Sequence, residues 1–71
     1  MCLSTIYRGS VGQDNLVMKN VRLIEYRDGT IVLTDLMERQ VAIEGELAQA
    51  DLVNGVAVIR ERNGVPGGVG Q

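Results

Sequence analysis

Seventy-one residues, 45% of them hydrophobic, with a formal charge of -2 and Tyr7 and Tyr26 as the only aromatics, describe one small globular domain with a thin core of Val, Ile, Leu and Met. A single cysteine excludes an internal disulfide framework, and charged residues or glycines interrupt every apolar stretch that could span a bilayer. Seven basic and nine acidic residues, scattered along the chain, argue against nucleic acid as the main partner.

Taken in chain order, the apolar segments are short and rich in β-branched residues, which favours strands over helices. CLSTIYR, from Cys2 to Arg8, alternates loosely and ends at Gly9. GSVGQD, from Gly9 to Asp14, reads as a loop, and LVMKNVRLIEY, from Leu16 to Tyr26, as a long strand bent near Lys19-Asn20. Asp28-Gly29 then separates VRLIEYR from TIVLTDL, and this dipeptide suits the positive φ angles of a type I′ hairpin turn. A tight turn around Met37-Glu38-Arg39 leads into QVAIEG, Gln40 to Gly45. ELAQAD, Glu46 to Asp51, is the one helix-leaning segment and predicts a single helical turn at a barrel corner. Asn54-Gly55 gives a second I′-type signal ahead of VAVIRER, whose Val56 to Ile59 are apolar on both faces.

About five strands joined by tight turns predict an all-β fold, a small antiparallel β-barrel-like domain over residues 1–62. Closure into a barrel removes most exposed edges. NGVPGGVGQ, residues 63–71, carries four glycines and the only proline, and reads as a flexible tail. No signal segment opens the chain, so the expected location is the cytoplasm, where a free thiol stays reduced.

Chains this short rarely draw more than about 3–5 kcal/mol from one core without metal, disulfide or association. Cys2 connects two of those routes. With Met1 removed, its α-amine and thiol can chelate one metal ion in a five-membered ring, and a two-fold dimer supplies two such pairs. With Met1 retained, the nitrogen donor becomes the Cys2 amide, with the Met1 amine as a further donor. The bland alternative is an oxidisable thiol or a small core residue.

MCLSTIY, NLVMKNV, IVLTDLMERQVAIEG and DLVNGVAVI together resemble the CooT family of small nickel-binding proteins, over most of residues 1–62. The resemblance implies a compact β-rich homodimer holding one Ni(II) at its interface through the N-terminal segments. It makes Cys2 the essential ligand and Met1 the neighbour that decides which nitrogen binds. Some relatives are linked to nickel supply for carbon monoxide dehydrogenase, and some have been labelled RNA-binding. The glycine-rich tail departs from the family length.

Thiolate and nitrogen are strong-field donors that suit square-planar Ni(II). Four protein donors would leave no in-plane position for substrate, and the chain has no histidine and no spaced acid pair, so an enzyme is not expected. The expected role is nickel storage, delivery or sensing, with a nickel enzyme or its maturation factors as partner. The alternatives are an RNA-binding or protein-interaction module without metal. Arg60, Arg62 and Arg22 beside Tyr26 would form the basic stripe of the RNA reading. Met18 and Met37 are expected as core filler rather than thioether ligands, and Asp35 and Glu38 as a solvated turn rather than a hard-metal site.

Overall fold

A computed structural model describes residues 3–62. The elements are β1 (Ser4–Arg8), a single 3-10 turn (Gln13–Asn15), β2 (Leu16–Arg27), β3 (Thr30–Asp35), β4 (Gln40–Asp51) and β5 (Val56–Glu61). The strands close in chain order into a barrel, β1-β2-β3-β4-β5. Each neighbour in sequence pairs antiparallel. The closing pair, β1 with β5, is parallel. An odd number of strands alternating in direction permits no other closure. The all-β, five-stranded reading is therefore met, with this one parallel seam added.

Stagger makes so short a chain close. β2 gives its first half, Leu16 to Val21, to β1 and its second half, Val21 to Arg27, to β3. β4 likewise serves β3 with Gln40 to Glu44 and β5 with Gly45 to Asp51. Each 12-residue strand must bend where it changes partners. In β2 the bend falls at Asn20, whose φ of 56° is left-handed, next to register shifts on both sides. The sequence placed it there. In β4 the change occurs at buried Gly45, where an added methyl group would run into the carbonyl oxygen of Arg60.

Every strand contributes to the core: Ile6, Val21, Ile31, Leu33, Ile43, Ala57 and Ile59, with Val17, Met18 and Val41 packed against it. Val58 alternates with Ala57 and Ile59 and lies outside that cluster, yet it too is buried. Both faces of this strand are thus covered, as its unbroken apolar run implied.

Several expectations change. ELAQAD is not a helical turn; it is the second half of β4, held by pairing of Glu46, Leu47, Gln49, Ala50 and Asp51 with β5. Six residues with weak helical preference cannot compete with a strand ladder that is already in place. The helical turn that does form lies at Gln13–Asn15. Asp28 and Gly29 both take positive φ, 50° and 81°, as a type I′ turn requires. Asn54-Gly55, by contrast, ends a four-residue turn over residues 52–55 in which only Gly55 is left-handed. Met37 is exposed in the β3–β4 turn rather than filling the core.

Asp35 also departs from the solvated turn residue anticipated, since it is buried. Its Oδ1 accepts the Met37 and Arg39 backbone N–H groups, both at 2.9 Å, and its Oδ2 accepts Arg39 Nε at 2.8 Å. Burial pushes this carboxyl up, but the hydrogen bonds and charge of Arg39, with the Met37 N–H, hold it below the ordinary aspartate range. A pKa lowered by folding adds stability above that range, and the contribution fades as pH falls through the folded value. An Asp35→Asn variant is therefore expected to be less stable than the parent at neutral pH. In urea titrations the gap should narrow as pH drops below about 4.

Candidate metal site at the start of the first strand

Cys2 and Met1 lie outside the described residues, as does the tail from residue 63. What is placed is the seat of the segment that follows them. Leu3 is half-buried. Ser4 is in register with Val21 on β2, and Thr5 with Val56 on β5. The Thr5 N–H donates to the Gly55 carbonyl at 2.8 Å. Gly55 has φ 68°, and a Cβ there would lie 3.0 Å from the Leu3 carbonyl oxygen. Glycine at this position serves both the turn and the close approach of β1.

Strand direction fixes what surrounds this start. β1 begins at the barrel end where β2 hands over to β3 and β4 to β5. The same rim therefore carries the Asp28-Gly29 hairpin and the turn over residues 52–55. Asp51 organises the latter turn: its Oδ1 accepts the Val53 and Asn54 N–H groups at 3.2 and 3.1 Å, and its Oδ2 accepts Asn54 Nδ2 at 2.7 Å. These bonds, the Asn54 side chain foremost, hold the Asp51 carboxyl below its usual range. At the turn's tip Leu52 is 82% and Val53 94% exposed. Neither was singled out in the sequence; the signal available was a pair of aliphatics where a turn ordinarily takes polar residues.

The proposed basic stripe does not assemble as free charge. Arg22 forms a two-pronged pair with Glu38 at 2.8 and 3.1 Å, Arg60 pairs with Glu46, and Arg62 Nη2 donates to the Gly29 carbonyl. Arg8 pairs with Glu61 at 2.6 Å. Cations paired with neighbouring carboxylates, as Arg22 and Arg60 are, attract a polyanion less strongly than free ones. Tyr26 is exposed.

Among the described residues, no group of three or more His, Cys, Asp or Glu side chains could hold a metal ion. Asp35 and Glu38 turn to different arginines, Arg39 and Arg22. Met18 packs against the core. No helix among the described residues is long and apolar enough to cross a membrane.

Comparison with known proteins adds two findings. Residues 1–60 match the family model CooT, described as CO dehydrogenase accessory protein CooT. No curated protein sequence matches. A crystal structure assigned to a CooT from Carboxydothermus hydrogenoformans superposes with a TM-score of 0.76 at 11% identity, over 87% of this chain and 100% of that one. At that identity the superposition speaks for the fold.

Proposed function

Since the chain belongs to the CooT family of CO dehydrogenase accessory proteins, we propose that it carries nickel for such an enzyme. In this reading two chains hold one Ni(II) as cargo through both Cys2 thiolates and two nitrogens from the chain starts. An accessory role, rather than catalysis, is what the family description gives. The observation that carries the nickel reading is Cys2 itself, the chain's only cysteine, two positions before Ser4, where pairing of β1 with β2 begins.

Nickel, rather than a harder ion, follows from the donors. Thiolate and amine or amide nitrogen favour a planar field, while oxygen-ligated Mg(II) or Ca(II) would need carboxylates that the described residues do not gather. Binding displaces thiol and nitrogen protons, so affinity should rise between about pH 6 and pH 8.5. Two-fold symmetry brings the same residue of each chain to one axis, so one motif suffices for four donors. Metal bound across the axis would also stabilise the dimer by linkage.

Native mass spectrometry of the untagged protein with Ni(II) tests this. The expected species is a dimer with one nickel, and its mass also reports whether Met1 remains. Monomers with one nickel each, or dimers that ignore the metal, would refute the proposal.

A further inference from the structure

We infer that the open edge of β2 at residues 17–19 takes up an extended, acidic segment of a partner protein as an added strand. This goes beyond the nickel reading and does not depend on it. β3 ends at Asp35, opposite Val21. The last backbone bond on that side of β2 runs from the Leu36 N–H to the Asn20 carbonyl at 2.9 Å. At the other limit the Leu16 N–H turns back to the Gln13 carbonyl. Between these limits β2 pairs with β1 alone. Among the described residues, Val17, Met18 and Lys19 thus have no backbone partner on the side away from β1. Such an edge is a template for another strand.

The edge borders an open groove whose other wall is the end of β3 and the start of β4. Val17, Met18 and Val41 line it and pack against the core, which gives it an apolar floor. Leu36 and Met37, 48% and 72% exposed, continue the apolar surface into the adjoining turn. The charged residues of the groove are Lys19, Asp35 and Arg39. Asp35 is buried and committed to Arg39, whereas Lys19 has no ion-pair partner among the described residues. The groove is therefore net positive. Asp14, just ahead of Leu16, does not line it.

A strand alternating apolar residues with carboxylates matches both features. Its backbone pairs with the edge, its apolar side chains cover the floor, and its carboxylates meet Lys19 and Arg39. Charge disfavours a second copy of this chain in the same place. It would bring its own Lys19 and Arg39 to a groove that is already cationic, and lysine on an open edge opposes self-pairing.

Amide NMR of the untagged, metal-free full chain, titrated with the end-capped hexapeptide Val-Glu-Val-Glu-Val-Glu, tests the inference. Saturable shifts centred on residues 16–20 are expected. The Val-Lys counterpart should bind the parent about 10-fold more weakly or worse, and so should the acidic peptide with Lys19→Glu. The Val-Lys peptide should regain affinity for Lys19→Glu, a charge swap that a purely structural lysine would not produce. An acidic peptide N-methylated at every residue cannot donate to an edge and should not bind. Absence of shifts at about 1 mM acidic peptide, or shifts elsewhere on the barrel, would overturn the inference. Equal binding of the Val-Lys or N-methylated peptide would do the same. Shifts of residues 16–20 that grow with protein concentration alone would put a second copy on the edge and also overturn it. Should Lys19→Glu misfold, the contrast between the acidic and basic peptides on the parent decides.

Discussion

On the proposed two-chain site, replacing Cys2 by serine should cut nickel affinity by about a thousandfold or more, because both thiolates would be lost and the two hydroxyls that replace them stay protonated at neutral pH. The fold should be unaffected. β1 begins at Ser4, and among the described residues the buried core cluster runs from Ile6 onward. Calorimetric titration with Ni(II), alongside thermal unfolding, separates the two effects: heat of binding disappears while the metal-free melting temperature holds. A variant with lowered stability and retained nickel binding would instead assign the thiol to packing.

The largest loss of stability is expected from Gly45→Ala. Gly45 is where β4 changes partners, and its N–H donates to the Gly29 carbonyl at 2.9 Å. A methyl group here meets the Arg60 carbonyl and the Glu61 Cα, backbone atoms that cannot swing aside. Relief requires prising β4 from β5, which breaks the ladder between them. Overpacking of this kind costs about 3 kcal/mol, a large part of the stability of a 71-residue chain. Thermal unfolding should shift down by roughly 12–24 °C. A variant melting within a few degrees of the parent would show that β4 and β5 can separate locally at little cost.

Much of the fold was legible in the residues. Val, Ile and Leu at alternate positions, cut by Asp28-Gly29 and by the Met37-Glu38-Arg39 turn, lead to the strands that form, and Asn20 marks the bend in β2. What escaped was set by long-range partners. ELAQAD has a local preference for helix that the β5 ladder overrides. Asn54-Gly55 looks like a two-residue turn until Asp51 is seen bonding to residues 53 and 54, which widens it to four. Asp35 reads as a surface acid because nothing in its neighbours reveals that Arg39 folds back over it.

The candidate site divides in the same way. Cys2 stood out because it is chemically alone, and the family match over residues 1–60 agrees with the resemblance carried by MCLSTIY and DLVNGVAVI. That Leu52 and Val53 share the rim with the start of β1 depends on barrel closure through the parallel β1–β5 seam, and no local pattern encodes it. The arginines looked like a stripe along the sequence. The partners of Arg22 and Arg60, Glu38 and Glu46, sit on a turn and on another strand, so this pairing became visible only with the register known.

The most direct measurement of the central idea is nickel X-ray absorption on the untagged, metal-loaded protein. Two sulfurs and two nitrogens around one planar ion, with the sulfur shell absent in Cys2→Ser, is the predicted outcome. A shell of oxygen and nitrogen alone in the parent protein would contradict it.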